Sequence, residues 1–336
     1  MAILDFGDMG AFIELNGSII IGSGGSKVLV SGVQDFKKDH FYFKSFFDSS
    51  YLQYAPERIT IWEKKDLLKL LHGFCVDRNF REVSNADQIF LKDLDHFKKS
   101  SLEKVVLLTR QNYERGDAGL KYQLIHRALT FKNSLPYGFW DENWGMVGAT
   151  PEILCHVKEE NLETHAIAST VPWSDSESLS NEKFQHEHQT VVRDIQNKLE
   201  SIHHHVLIGK QKKRIFGTMV HLETPMSSYP VQSLIEVVST LSPTAALGGY
   251  PSEAALQYLK ETDYSKKYSN RYYGSSLGFV TNEEALFIVA IRNVQWSEHE
   301  VFIESGAGIV QESDPQSELE EVQLKRQSVY KHYLCV

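Results

Sequence analysis

Cysteine is scarce in this sequence, and its pattern excludes a disulfide-built scaffold. The 336 residues contain only Cys75, Cys155 and Cys335, which are far apart and form no CxxC pair. An odd number of distant cysteines is typical of reduced, structural thiols. We therefore expect a cytoplasmic protein.

Long apolar runs are also missing. No stretch approaches the roughly 20 apolar residues that a membrane-spanning helix needs. The N-terminus has no basic segment and carries Asp5 and Asp8, which is unlike a secretory signal. The sequence therefore predicts no membrane partner.

The sequence has fewer positively than negatively charged residues. The 44 Asp and Glu residues outnumber the 35 Lys and Arg residues, and the formal net charge is -9. Nucleic-acid-binding proteins usually present a basic face, so this balance argues against a nucleic-acid partner. An anionic small molecule remains compatible if a metal ion or a few Arg and Lys side chains surround it.

The glycine-rich segments lack the pattern of a nucleotide site. Residues 22–26 (GSGGS) and 306–308 (GAG) match neither GxGxxG nor a P-loop in the strand-turn-helix setting that these motifs require. No internal repeat or low-complexity linker is present either. Nucleotide binding is therefore not expected.

The sequence does contain local strand pairs with helices between them. Residues 12–25 (FIELNGSIIIGSGG) alternate across an Asn-Gly turn and predict a hairpin. Further strands are predicted at 104–113, on both sides of a turn at 141–143, after a break at Thr150-Pro151, at 161–173, and at 271–281, 285–297 and 300–310.

Apolar spacing predicts helices between these strands. They lie at 84–103 (capped by Ser84 or Asn85), 117–131, 180–202, 233–241 and 252–262, and in a C-terminal helix with Asp314 as N-cap and Pro315 at its first position. This order favours an α+β fold with largely antiparallel sheets over a doubly wound nucleotide fold.

Three glutamates have settings that suit chemistry. Glu187 lies at the margin of a helical apolar stripe, where a solvated glutamate is the commoner case. Glu321 has Lys325 four residues later, which is typical of an ion pair on an exposed helix face. Glu152 follows the Thr-Pro break in an apolar strand, where burial would raise its pKa and suit it to general acid catalysis.

Two histidine runs invite a zinc interpretation. They are His186 and His188 in HEH, and residues 203–205 in HHH. Adjacent histidines on a helix point in different directions, and neither run has HExxH spacing. A magnesium site built from one or two carboxylates and substrate oxygens fits the glutamates better.

Taken together, the segments resemble the chorismate-binding enzyme family, which includes anthranilate, aminodeoxychorismate, isochorismate and salicylate synthases. Ten short pieces occur in family order over the C-terminal two thirds of the chain. They are KVVLLTR (104–110), GATPEIL (148–154), AIAST (166–170), EHQTVVRDI (187–195), HLETP (221–225), LSPTAALGGYP (241–251), RYYGSSLG (271–278), AIRN (290–293), GAGIVQESDP (306–315) and EEVQLK (320–325).

The resemblance implies one chorismate-binding domain over residues 1–336, with a variable part at 1–95 and a catalytic part at 96–336. Its fold would be two stacked, largely antiparallel sheets flanked by helices, with the active site between them. The substrate would be chorismate and the cofactor Mg²⁺, in a monomer or weak homodimer.

The resemblance also implies a role for individual residues. Glu187 and Glu321 match the family's magnesium ligands, and His221 matches an active-site histidine. Residues expected to contact the substrate are Arg292 and Lys325 near its carboxylates, the backbone at Gly306 and Gly308, and Thr170, Tyr273 and Gly274 in pocket-lining motifs.

Lys104 indicates which family reaction to expect. Family members that add water at C2 of chorismate carry this lysine, whereas those that add ammonia usually have glutamine. Water needs a base, and lysine can serve if burial and nearby cations lower its pKa. Ala168 stands where some aminodeoxychorismate synthases have a nucleophilic lysine. The resemblance thus implies isochorismate formation, with Glu152 protonating the departing C4 hydroxyl.

Three positions depart from the family pattern, and alternatives stay open. Ser242 replaces a common histidine, Ser169 a glycine and Thr150 a serine. The main alternative is a salicylate synthase, which also eliminates pyruvate. An amine-adding synthase and a non-catalytic chorismate-binding protein are further alternatives. Menaquinone and siderophore synthesis could each consume the product, and menaquinone synthesis is favoured.

Overall fold

The computed structural model describes residues 6–31, 35–74, 80–114, 119–217, 219–268 and 271–335. The strands within these ranges are β1 (Gly10–Leu15), β2 (Ser18–Ser23), β3 (Ser26–Val30), β4 (His40–Lys44), β5 (Tyr51–Ala55), β6 (Arg58–Glu63), β7 (Glu82–Asn85), β8 (Lys104–Tyr113), β9 (Leu135–Trp140), β10 (Trp144–Thr150), β11 (Ile153–Lys158), β12 (Asn161–Pro172), β13 (Val206–Ile208), β14 (Lys212–Phe216), β15 (Met219–Ser228), β16 (Gly249–Tyr250), β17 (Ser276–Val280), β18 (Glu284–Val289), β19 (Asn293–Ser297) and β20 (Val301–Val310).

Helices lie between these strands. The α-helices are α1 (Lys64–Leu71), α2 (Asp87–Phe97), α3 (Leu120–Thr130), α4 (Glu182–Ser201), α5 (Leu234–Leu241), α6 (Ser252–Glu261), α7 (Asp263–Lys267) and α8 (Pro315–Tyr333), and 3-10 segments span His72–Phe74 and Trp173–Ser180.

The strands form two large antiparallel sheets. Sheet 1 has the order β16-β8-β20-β19-β10-β9-β1-β2-β6, with β7 also paired to β8. Sheet 2 has the order β13-β15-β12-β11-β18-β17-β4-β5-β3, with β14 also paired to β15. The predicted α+β fold is confirmed. The strands before residue 95 join both sheets, and the division of the domain at that residue stays a prediction.

Apolar side chains from both sheets meet in a shared core. Phe43 of sheet 2 stacks on Phe139 of sheet 1, with ring centroids 5.7 Å apart. Helices cover the outer faces: α4 packs its predicted apolar stripe on sheet 2, and α3 and α8 pack on sheet 1. Burial of such apolar surface is the main driving force for this layered arrangement.

The predicted hairpin is confirmed, because β1 and β2 pair in register from Gly10–Ser23 to Leu15–Ser18. Asn16 and Gly17 connect them with φ of 52° and 81°. Two consecutive positive φ values define a tight hairpin turn that asparagine and glycine tolerate best. The local sequence therefore determines this turn.

Two of the chain segments that cross from one sheet to the other are linked to each other by backbone hydrogen bonds. The first leaves β10 in sheet 1 at Thr150 and enters β11 in sheet 2 at Ile153. The second leaves β18 in sheet 2 at Val289 and enters β19 in sheet 1 at Asn293. The prediction of one strand over 285–297 is therefore wrong. Its even apolar pattern hides the crossing because both halves are buried.

Smaller predictions have mixed outcomes. Asp314 caps α8 by accepting a hydrogen bond from the Ser317 amide, as expected. The cap of α2 is Ala86 rather than Ser84 or Asn85, which belong to β7. β7 extends up to the helix because it pairs with β8, and a local cap rule cannot include that pairing.

The remaining sequence predictions concern the cysteines, the N-terminus, the start of one helix and membrane-spanning segments. Cys155 is buried and is a free thiol, and Cys335 is partly buried. Cys75, the N-terminal residues 1–5 and the predicted helix start at 117–118 lie outside the described residues. Within the described ranges, every helix is too short or too polar to cross a membrane.

Asp87, the first residue of α2, connects three elements. It is buried and accepts hydrogen bonds from Thr109 Oγ1 of β8 (2.7 Å) and from Gln323 Nε2 (2.8 Å) and Arg326 Nη1 (2.8 Å) of α8. Burial by itself would raise the pKa of Asp87, but these donors hold it below its ordinary value. The ion pair is therefore a structural link between α2, sheet 1 and α8.

Replacing Asp87 by alanine should lower the free energy of unfolding by about 3–5 kcal/mol, because Arg326 would stay buried without its anion. Asp95→Ala is the matched control on the same helix, since its ion pair with Lys99 is exposed. It should change the free energy of unfolding much less. Urea denaturation measures both changes, and equal losses would contradict this account.

Candidate active site

A cavity opens where the two sheet crossings meet α4, α8 and β20. Its wall contains all the predicted site residues except Gly274, namely Lys104, Glu152, Thr170, Glu187, His221, Tyr273, Arg292, Gly306, Gly308, Glu321 and Lys325. These residues are spread over more than 200 positions of the chain, so the fold alone brings them together.

Lys104 lies at the start of β8 and is 1% exposed. Its Nζ donates a hydrogen bond to Glu187 Oε1 of α4 at 3.0 Å. Gly308 permits this approach, because a Cβ there would lie 2.6 Å from Glu187 Oε1 and 2.8 Å from Lys104 Cε. We expected nearby cations around Lys104, but the structure places a carboxylate next to it.

Ser169 explains how one departure from the family pattern is accommodated. It lies at a bulge in β12 with φ of 58°, the left-handed region where glycine is favoured. Its hydroxyl lies 2.9 Å from Glu187 Oε2 and 2.7 Å from the Phe184 carbonyl. The serine therefore adds a donor for the Glu187 carboxylate at the site of a strained backbone.

The contacts with Lys104 and Ser169 also determine the charge state of Glu187. Burial by itself would raise the pKa of this carboxyl, but the charge of Lys104 and the donors Lys104 and Ser169 hold it below its ordinary value. Glu187 is therefore an anion at neutral pH. Its side chain is only 17% exposed, so the commoner alternative of a solvated helix glutamate does not apply.

Glu152 occupies the first sheet crossing, 5% exposed. Its amide donates to Thr150 Oγ1 at 3.1 Å, so the threonine supplies the hydroxyl of the usual serine. Burial raises the pKa of Glu152 to about 8, although the charge of Lys104 opposes this. The carboxyl is therefore protonated at neutral pH, as expected for a general acid.

His221 of β15 is held neutral. Its Nδ1 lies 2.8 Å from Thr170 Oγ1 on the neighbouring strand. Burial, followed by the charges of Arg292 and Lys325, lowers the pKa of His221 well below its ordinary value. Within the described residues its buried Nε2 has no hydrogen-bond partner. A buried polar atom without a partner on a cavity wall is suited to contact a ligand.

Arg292 occupies the second sheet crossing with φ of 56° and is 6% exposed. Its guanidinium lies 5.6 Å from the centre of the Phe216 ring. The described part of the chain offers this guanidinium neither a hydrogen bond nor an ion pair. A buried guanidinium in this state is a ready site for a carboxylate.

Lys325 and Glu321 form the predicted i,i+4 pair on α8, with Nζ and Oε1 2.6 Å apart. The pair faces the cavity, so the prediction of an exposed helix face is wrong. Lys325 Nζ also donates to the Gly306 carbonyl at 2.9 Å. Burial alone would lower the pKa of Lys325, but the Glu321 carboxylate holds it above its ordinary value.

Gly274 is the predicted site residue that the structure places elsewhere. It adopts φ of 81°, and a Cβ there would lie 2.6 Å from Leu247 Cδ1. The glycine is therefore required by the turn between Tyr273, which does line the cavity, and β17. Ser242, a second departure from the family pattern, is also absent from the cavity wall.

Two of the three acidic residues on the wall fit a magnesium ion better than zinc. Glu187 and Glu321 supply carboxylate oxygens, and no group of three or more His, Cys, Asp or Glu side chains among the described residues could hold a metal by itself. Mg²⁺ is commonly held by one or two carboxylates together with substrate and water oxygens. In the HEH run His186 is exposed, whereas His188 is buried against Thr224.

Sequence reasoning missed the side chains that hold the cavity-lining segment 241–251. Lys44 Nζ donates to the Ser242 carbonyl at 3.3 Å, and Lys198 Nζ donates to the Pro243 carbonyl at 2.6 Å. Burial lowers the pKa of Lys44 to about 8. No local pattern marks these lysines, because their partners lie far away in sequence.

Comparisons with known proteins identify the family of this chain. The family model described as chorismate binding enzyme matches residues 78–332. The salicylate biosynthesis isochorismate synthase of Pseudomonas aeruginosa is 29% identical over 66% of this chain and 49% of its own length. The vibriobactin-specific isochorismate synthase of Vibrio cholerae is 28% identical over 70% of this chain and 63% of its own.

A solved structure shows the same fold. The menaquinone-specific isochorismate synthase MenF from Escherichia coli superposes with a TM-score of 0.79 and 17% identity, covering 98% of this chain and 90% of that chain. Our chain spans about half to two thirds of the length of the two curated relatives named above. The matched residues and the shared fold establish that this chain belongs to the chorismate-binding enzyme family.

Proposed function

We propose that this chain is an isochorismate synthase, which converts chorismate to isochorismate by adding water at C2 and releasing the C4 hydroxyl. The observation that carries the proposal is the pair of Lys104 and Glu152 on one cavity wall. A buried amine and a protonated carboxyl, coupled by charge, supply the base and the acid that this exchange requires.

The cations of the cavity suit a substrate with two carboxylates. Arg292 has no anionic partner among the described residues, and a guanidinium can bind a carboxylate through two parallel hydrogen bonds. Lys325 adds a second charge that is held beside Glu321. Local cations of this kind allow an acidic protein to take up a dianion.

The proposed exchange of one hydroxyl group for another involves no oxidation or reduction, so it needs no redox partner. Lys104 accepts a proton from water as its oxygen bonds to C2, the ring double bonds shift, and Glu152 donates a proton to the hydroxyl that leaves C4. Neutral His221 can orient the substrate through its free Nε2. Product and substrate are isomers, so the reaction should run in both directions.

Magnesium has a defined place in this proposal. Glu187 and Glu321 would hold the ion, and it would neutralise the ring carboxylate of chorismate. Lys104 donates to Glu187 in an ion pair, so it must leave this carboxylate and lose a proton to solvent before its amine can accept one from the attacking water. A divalent cation at Glu187 would compete for this carboxylate and so release the lysine.

Other expectations stay predictions. The names of the related proteins refer to salicylate, vibriobactin and menaquinone, and we retain menaquinone synthesis as the predicted consumer of the product. The monomeric or weakly dimeric state, the cytoplasmic location and the lack of nucleic-acid and membrane partners likewise stay predictions.

Incubation of the protein with chorismate and Mg²⁺ should yield isochorismate, detected by chromatography, and EDTA should abolish the reaction until Mg²⁺ is restored. Starting from isochorismate should give chorismate. A lactate dehydrogenase-coupled assay should detect no pyruvate. Pyruvate release would instead indicate salicylate synthesis, and ammonium-dependent turnover would indicate an amine-adding synthase.

Replacing Lys104 by alanine should lower kcat by about 10²–10⁴-fold, the usual contribution of a general base. The matched control is Lys64→Ala, because Lys64 also pairs with a glutamate, Glu14 at 3.0 Å, but lies off the cavity wall. The control should keep kcat within about threefold. Full activity in the Lys104 variant would refute its role as the base.

Replacing Glu152 by glutamine should remove turnover and make stability depend less on pH. The pKa of Glu152 is raised from 4.5 to about 8, so its contribution to stability is complete below pH 4.5 and is lost as pH rises towards 8. Relative to wild type, Glu152→Gln should therefore gain about 2 kcal/mol in unfolding free energy between pH 5 and pH 7.

The control for this pH effect is Asp87→Asn. Asp87 is also buried, but its donors hold its pKa below its ordinary value, against burial. Its titration lies below pH 5, so the difference between this variant and wild type should be the same at both pH values. Urea denaturation at pH 5 and 7 makes the comparison, and a constant difference for Glu152→Gln would contradict the raised pKa.

A further inference from the structure

A buried tyrosine lies beneath the second sheet crossing. Tyr137 of β9 is 0% exposed and belongs to the apolar core between the sheets. Its hydroxyl donates to the Ile291 carbonyl at 2.8 Å and accepts from Asn293 Nδ2 at 2.9 Å. A hydroxyl in an apolar core is costly unless it is hydrogen-bonded, so these contacts need an explanation.

Asn293 completes the contacts with the crossing. Its Nδ2 also donates to the Ala290 carbonyl at 3.1 Å, and its Oδ1 accepts from Gln295 Nε2 at 3.2 Å. Tyr137 and Asn293 therefore fix two consecutive carbonyl groups, those of residues 290 and 291. The next residue along the chain is Arg292.

Arg292 depends on this support for its backbone conformation. Its φ of 56° is in the left-handed region, which is unfavourable for a residue with a side chain and persists only when the surroundings hold it. The same conformation directs its guanidinium to the cavity wall. Any relaxation of residues 290–292 would therefore move the guanidinium away from its present place.

Gly148, in the strand that leads into the first crossing, also lies close to the Tyr137 hydroxyl that supports the second crossing. It pairs with Asn293 between β10 and β19, and a Cβ there would lie 2.7 Å from the Tyr137 hydroxyl oxygen. The Ala149 amide also donates to the Arg292 carbonyl at 3.4 Å. The Glu152 crossing and the Arg292 crossing are thus tied together beside Tyr137.

We propose that Tyr137 and Asn293 are positioning residues, which hold Arg292 in its left-handed conformation so that its guanidinium meets a substrate carboxylate. This proposal rests on the proposed function, because it assigns Arg292 to an anionic substrate. Neither residue touches the cavity. Their effect on the reaction is therefore transmitted through Arg292.

Tyr137→Phe removes only the hydroxyl. It should raise KM for chorismate about tenfold and change kcat less than about twofold, because carboxylate binding is weakened while Lys104 and Glu152 remain in place. Tyr54→Phe is the matched control. Tyr54 is also 0% exposed in the same core and donates to the Gly24 carbonyl at 2.6 Å, but it has no contact with either crossing.

The control separates positioning from stability. Both tyrosine variants should lose a similar amount of thermal stability, and only Tyr137→Phe should raise KM. If Tyr137→Phe does not fold, Asn293→Ala tests the same carbonyl contacts from the other side and should also raise KM. An unchanged KM in the folded variant would overturn the proposal.

A double-mutant cycle tests whether the effect passes through Arg292. In an Arg292→Ala background, Tyr137→Phe should cause no further rise in KM, since the group that it positions is gone. The same tenfold rise in both backgrounds would show that Tyr137 acts independently of Arg292, and the proposal would be wrong.

A crystal structure of Tyr137→Phe gives a reading that does not depend on turnover. Arg292 should leave the left-handed region or its guanidinium should shift, and an unchanged Arg292 would overturn the positioning role. Lack of chorismate turnover by the wild-type protein would refute the proposed function alone. The two failures are therefore distinguishable.

Discussion

The site depends on the constraint that a strand passing from one sheet to another must break its regular hydrogen bonding. At Thr150–Ile153 and at Val289–Asn293 the chain makes this passage, and the broken ladder is restored locally by bonds between the crossings, such as Val289 N to the Glu152 carbonyl at 3.0 Å. Glu152 and Arg292 lie in these short segments. The acid and the guanidinium of the cavity are therefore a consequence of how the two sheets are joined.

Burial then sets the chemistry of the residues that the fold collects. No strong donor among the described residues contacts the carboxyl of Glu152, which is kept neutral, whereas Glu187 is paired with Lys104 and Ser169 and is kept ionised. Two glutamates on one wall thus have opposite protonation states at neutral pH. This separation provides an acid and an anionic cation-binding group in one small cavity.

Gly308 and Ser169 adapt the cavity wall to the side chains of Lys104 and Glu187. Gly308 leaves room for the contact between Lys104 and Glu187, and no larger residue could take its place without moving them. Ser169 takes a backbone conformation that suits glycine and uses its hydroxyl near Glu187. The departure of this chain from the family pattern is therefore accommodated at a point where it contacts the proposed metal ligand.

The sequence by itself determined local structure and membership of the family. Alternation around Asn16-Gly17 predicted the first hairpin, the Asp314-Pro315 pair predicted the start of α8, and all but one of the site residues predicted from the ordered motifs line the cavity. Such signals are local, because a turn, a cap or a motif is encoded by neighbouring residues. The tertiary structure alone decided the break at residues 290–292, the place of Gly274 outside the cavity, the pairing of Lys104 with Glu187, and the contact of Tyr137 with Ile291. These features join residues far apart in the chain, and their energies depend on burial and distance, which a linear pattern does not contain.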